Sequence, residues 1–158
     1  MCYIVLVGRD QTGKTTSINA LAKKFVVDGA TVVDEKAGHK FNTYVSSSVQ
    51  LAEKKKDDDL TIVVSFCGKL IGITTFGDAR ACIAPKVDFF RNIGCTHAIF
   101  ASHPSGSSYE YLVELAKADE FKDIHAVFKI GCAGIVATPA LIAASDNHAV
   151  IELFHWVI

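Results

Sequence analysis

Tyr3-Ile4-Val5-Leu6-Val7-Gly8-Arg9-Asp10-Gln11-Thr12-Gly13-Lys14-Thr15-Thr16 is the stretch on which the fold turns. Its first five residues are apolar or aromatic and rich in β-branched side chains, the make-up of a buried strand. A glycine follows at once, and a second glycine stands directly before a lysine and two threonines. From Gly8 to Thr15 the spacing is Gly-x-x-x-x-Gly-Lys-[Ser/Thr]. Glycines let the backbone turn so tightly that successive N–H groups point inward, an arrangement suited to phosphate oxygens. The helix expected from Lys14 to about Val26 adds its positive end and its unpaired N–H groups to the same anion. Lys14 supplies a mobile charge for β and γ phosphates. The Thr15 hydroxyl is a hard oxygen of the kind magnesium prefers. Asp10, Gln11, Thr12, Gly13 and Thr16 line the same cradle. The bland alternative, a glycine turn that binds nothing, does not explain why lysine and threonine stand at the opening of the helix.

Outward from this segment, apolar runs alternate with helix-like stretches, the pattern of a mainly parallel sheet covered by helices. Thr31 to Val33 reads as a second strand. Thr61 to Phe66 and Leu70 to Thr75 are strongly β-forming, and only Cys67-Gly68-Lys69 separates them. That gap is too short for a parallel crossover, so the two form an antiparallel hairpin. A helix is expected over Ala79 to Asn92, a strand over His97 to Ala101, a helix over Ser107 to Ala118 and a strand over His125 to Ile130. Ser145-Asp146-Asn147 looks like the N-cap of a closing helix that runs through Trp156. The expected fold is a three-layer α/β domain with a mainly parallel central sheet and one antiparallel hairpin strand.

The whole chain fits one domain. Its 158 residues are 50% hydrophobic and 21% charged, with a formal net charge of -1, a globular balance with no basic stripe for nucleic acid. The charge run Glu53 to Asp59 changes sign midway and reads as a solvated loop or helix end. No segment has the roughly 18 consecutive apolar residues of a membrane span. No basic residue precedes the apolar start, as a secretory leader would require. Five scattered cysteines without a Cys-x-x-Cys pair suit reduced thiols in a cytoplasm. The histidines show no zinc-ligand spacing.

On the strand, glycine loop, Lys14 and Thr15 together, the chain resembles the P-loop NTPase superfamily, closely over about residues 3 to 26. The resemblance implies a nucleoside triphosphate with Mg2+ as ligand and a partner acid near the end of another strand. Asp78 is the candidate acid, in Leu70-Ile71-Gly72-Ile73-Thr74-Thr75-Phe76-Gly77-Asp78. In small GTPases an antiparallel strand pair leads into Asp-x-x-Gly, whose glycine N–H touches the γ-phosphate. Thr74-Thr75-Phe76-Gly77 is similar in spacing, with threonine in place of the leading Asp. The resemblance therefore implies a γ-phosphate contact from Gly77, with Thr74 or Asp78 on the metal side and Thr15 as the other metal ligand. Asp78 could equally cap the following helix. GTPases read guanine through Asn-Lys-x-Asp after a late strand, whereas this chain has Gly131-Cys132-Ala133-Gly134 there. ATP is accordingly expected over GTP.

Other residues bear on the reaction. Asp34-Glu35 follows the second strand, where small P-loop kinases keep an acid that orients or deprotonates an acceptor hydroxyl. A turn or cap role is the alternative. Of the three arginines, Arg9 and Arg80 could add charge at a moving phosphate, and Arg91 reads as a helix-surface residue. His103, in Ser102-His103-Pro104-Ser105-Gly106, follows a strand that should end beside the phosphate loop. It could touch a second substrate or the base, or lie in a plain turn with Ser107 or Ser108 capping the next helix. The apolar end, Val150 to Ile158, docks on the sheet or joins a partner subunit as a homodimer.

These readings converge on magnesium-dependent binding and hydrolysis of a nucleoside triphosphate, with Lys14 and Asp78 in the reaction. A kinase with Asp34 at its acceptor side is the alternative, as is a binding module without turnover.

Overall fold

Strand β1 (Cys2–Val7) sends its side chains alternately to two faces, as a pleated strand must. Tyr3, Val5 and Val7 go to one face and Ile4 and Leu6 to the other, all essentially buried. A strand apolar on both faces belongs in the middle of a covered sheet. In the computed structural model, which describes residues 1–9, 12–33, 44–45, 59–118, 124–129 and 139–158, it lies there. The following elements are α1 (Lys14–Val27), β2 (Thr31–Val32), β3 (Tyr44–Val45), β4 (Thr61–Phe66) and β5 (Lys69–Thr74). Then come α2 (Arg80–Ile93), β6 (His97–Ser102), α3 (Ser107–Ala118), β7 (His125–Phe128) and α4 (Pro139–His155).

The sheet runs β2-β4-β5-β6-β1-β7, with β3 paired to β4 beside this path. Strands β5, β6, β1 and β7 are mutually parallel, and β4 is antiparallel to both β5 and β2. The expected hairpin is present. Its turn is Cys67-Gly68, both at positive φ (48° and 74°), the backbone of a two-residue turn whose twist matches the strands.

Two cores result. Ile4 and Leu6 pack with Ile18, Leu21 and Phe25 of α1 and with Leu153 of α4. Tyr3, Val5 and Val7 pack with Ile83 and Phe90 of α2 and Leu112 of α3. Each large apolar side chain so buried is worth about 1.5–3 kcal/mol of transfer free energy, which ties the helices to the sheet. The layering is therefore helix, mixed sheet, helix, mostly parallel as the alternating pattern implies.

The closing helix departs from its expected start. It opens at Pro139, where a missing N–H costs nothing, and Ser145-Asp146-Asn147 lies inside it rather than at its cap. Asp146 is turned toward Lys129 at the end of β7, so its polarity serves a tertiary contact and not a helix end. The apolar C-terminus docks on its own sheet. Leu153 and Val157 are buried, Lys69 Nζ donates to Val157 O (2.6 Å), and Trp156 stacks on His125 at 3.9 Å between ring centroids. Among the described residues no helix is long and apolar enough to cross a membrane.

Candidate functional site

Because β1, β5, β6 and β7 are parallel, the residues after them emerge at one edge of the sheet: Gly8, Thr75, His103 and Lys129. Ligands of open α/β sheets bind at such carboxyl ends. Strand β2 heads to the same edge through Val33, whose N–H donates to Val63 O (2.9 Å). Asp34, Asp10 and Gln11 lie outside the described residues.

The loop after β1 is held from within. Lys14 Nζ donates to Gly8 O and Arg9 O, each at 2.8 Å, and Thr12 Oγ1 donates to Arg9 O at 2.9 Å. Gly13 has φ of +78°, a left-handed conformation that side chains resist, and it occupies the N-cap of α1. Its carbonyl accepts from Ser17 N–H (3.0 Å), the first bond of the helix. No side chain caps this end, so N–H groups of the first turn have no partner within the helix. Thr15 and Thr16 stand in that turn, both half-buried.

A second lysine braces the loop from behind. Lys129 Nζ, 2% exposed, donates to Gly13 O (2.8 Å), to Ser17 Oγ (2.6 Å) and to Asp146 Oδ1. Ser17 Oγ donates in turn to Asp146 Oδ1 (3.2 Å). A buried cation thus has three acceptors, which a charge at that depth requires. Neither Lys129 nor the tertiary role of Asp146, which lies inside α4 and not at its cap, follows from local pattern. The available signal was a charged residue closing the apolar run Ala126-Val127-Phe128, and a lone acid within the apolar stretch of α4.

Strands β5 and β6 meet at their ends. A Cβ added to Gly77 would lie 1.8 Å from Ala101 O, so only glycine lets these backbones touch. Gly77 therefore sits against β6, the strand between β5 and β1. Asp78, the next residue, carries an exposed carboxylate whose Oδ1 lies 3.4 Å from His103 Nε2. It does not cap α2: the N-cap is Ala79, and Arg80 N–H donates to Ser107 Oγ (3.2 Å). Ser107 and Ser108 are likewise engaged away from capping, since Ser108 Oγ lies 3.0 Å from buried Ser102 Oγ, which donates to His103 O (3.1 Å). The Thr74 hydroxyl is spent inside the hairpin, on Leu60 O (3.1 Å) and Thr61 Oγ1 (3.0 Å), while Phe76 N–H donates to it (3.3 Å).

Of the arginines, Arg80 lies over the Tyr111 ring and pairs with Glu114 (3.5 Å), while Arg91 donates to Tyr3 Oη (2.8 Å). Arg9 lends its carbonyl to Lys14 and is exposed. Lys86 of α2 sits over the Phe76 ring at 4.2 Å, fixing the segment that carries Gly77 and Asp78. Burial pushes the Lys86 ammonium below its ordinary pKa, against the pull of Cys82 and Asp59.

Among the described residues no three His, Cys, Asp or Glu groups gather as a metal cluster. Magnesium bound to phosphates does not require one, because it takes one or two protein oxygens and completes its shell with phosphate and water. The Thr15 hydroxyl and the Asp78 carboxylate are donors of that kind. Comparison with family models, with curated proteins and with solved structures found no match.

Proposed function

We propose that the chain binds a nucleoside triphosphate with magnesium in the Gly8 to Thr16 loop and hydrolyses it, ATP in preference to GTP. The observation that carries this reading is the lysine arch. Lys14 Nζ reaches back to two loop carbonyls at 2.8 Å, so a cation shares one small space with the first turn of a helix that no side chain caps. Such a space favours a multiply charged oxyanion. In it Lys14 would meet the β and γ phosphates, and the Thr15 hydroxyl would hold magnesium. Magnesium supplies neutralisation of charge on the phosphate oxygens. Turnover is supported by Asp78 standing at the same edge of the sheet as the loop.

Calorimetric titration of wild type and Lys14→Ala with ATP and with GTP, each with and without magnesium, tests the reading. Loss of the cation should cost about 2–3 kcal/mol, roughly 100-fold in affinity. Equal affinity of the two proteins for both nucleotides would end the proposal.

A further inference from the structure

We propose that the chain forms a twofold homodimer through the outer face of α4, with two copies of the helix packed antiparallel about Ile151. The inner face of this helix is fixed by Ala149, Val150, Leu153 and Val157, which enter the core. Across the helix from them, at about 100° of turn per residue, run Ala144, His148, Ile151, His155 and Ile158. All five are exposed, Ile151 at 62% and Ile158 at 64%. Helical bonding carries the stripe to its last member, since Ile158 N–H donates to Phe154 O at 3.3 Å. The steps along it are four, three, four and three residues, the spacing of a seam between two helices.

A helix face turned to water ordinarily carries charge. In a chain that is 21% charged, this stripe holds no Asp, Glu, Lys or Arg. The two acids of α4 lie off it: Asp146 is turned to Lys129, and Glu152 is half-buried. The order of the residues selects a second copy of the chain as the occupant, because the stripe is nearly palindromic about Ile151. Antiparallel pairing sets small Ala144 against large Ile158 of the second copy at both ends, and Ile151 against its own counterpart on the twofold axis. Between these layers His148 meets His155 of the second copy. A neutral imidazole has one donor and one acceptor nitrogen, so the two rings satisfy one another. Parallel pairing would set Ala144 against Ala144, leaving a gap, and crowd Ile158 against Ile158. The seam is about 21 Å long at 1.5 Å per residue. That is the small end of specific interfaces, so the dimer is reversible. Nothing in this inference depends on the triphosphate reading.

Analytical ultracentrifugation of the full chain, over a roughly thousandfold range of concentration as mass action requires for a reversible dimer, tests it. Wild type should pass from one chain mass to two. Ile151→Lys and Ile151→Asp each place like charges face to face on the axis. Each should weaken association at least about 100-fold, with circular dichroism unchanged. Mixed together, the two variants should dimerise again, because a lysine then meets an aspartate. Ala144→Lys mixed with Ile158→Glu should likewise associate more tightly than either variant alone, a pairing that only the antiparallel arrangement brings about. Should a charged variant at 151 lose helical signal, Ile151→Ser, with its short polar side chain, should still weaken association about tenfold. A wild type that keeps one chain mass at every concentration overturns the inference, whether or not phosphatidylcholine vesicles or another protein bind to α4. A dimer indifferent to all three substitutions of Ile151 overturns it as well. So does a mixture of the oppositely charged variants, at either pair of positions, that associates no better than its components.

Discussion

Lys14 and Thr15 are adjacent in sequence but have separable tasks in the proposed function. The lysine brings a full charge that acts with or without a metal, whereas the threonine brings a neutral hydroxyl whose use depends on one. Thr15→Ala should therefore weaken binding of ATP with magnesium by roughly tenfold, the scale of one lost polar contact to a charged partner, and leave metal-free binding nearly unchanged. Titrations in magnesium and in a chelator distinguish the two. Equal losses in both would remove the metal role. His103 and Asp78 illustrate what single residues conceal. Each was visible as a polar residue after a strand, but their 3.4 Å approach depends on a register between β5 and β6 that no local pattern encodes.

At the scale of elements, the strand, loop and helix of the first 27 residues were legible because local signals agree. The apolar run, the glycines and the helical periodicity all point to one structure. The hairpin was legible from the length of its gap. Helix α4 was not. Its apolar residues continue upstream of Ser145 without a change of pattern, and three capping-type residues in its interior imitate a start. Asp146 is tolerated there because it meets Lys129. Asp146→Ala should destabilise the fold by about 3 kcal/mol in urea unfolding, since it strands a buried ammonium. Lys129→Met combined with Asp146→Leu should recover much of that stability. Under the proposed function it should not recover nucleotide affinity, because Gly13 O would keep its helix bond from Ser17 but still lack the Lys129 ammonium. Restored affinity in the double variant would show that the pair only fills space. The hairpin turn offers a gain instead of a loss. Cys67 holds φ of 48°, which an L side chain resists and which Asn tolerates best among non-glycine residues. Cys67→Asn should raise unfolding stability by about 0.5–1 kcal/mol, measured in the same urea titration.

At the scale of the whole molecule, the two ends of the sheet hold different ionisable groups, Lys129 by the loop and His97 opposite it. At the end opposite the loop, His97 is held below its ordinary pKa of 6.5, first by burial, then by Lys69, the amino terminus and His125. Its folded pKa is depressed, so between the folded and unfolded values the unfolded chain binds more protons. Stability is then fullest above about pH 6.5 and falls as the pH drops toward the folded value. Thermal midpoints measured between pH 8 and pH 5 should show this fall, and His97→Gln should flatten it. An unchanged slope in that variant would assign the acid sensitivity elsewhere.

The bond from Lys129 to Gly13 joins residues 116 apart in the chain. The loop leaves the ribosome well before the side chains that brace it, Lys129 and Asp146. Contacts so distant in sequence form late, because the intervening chain must first be closed. The nascent loop is thus made without its brace, which is complete only once α4 has been synthesised. Under the proposed function, recovery of ATP-analogue binding during refolding should accordingly lag behind recovery of helical signal.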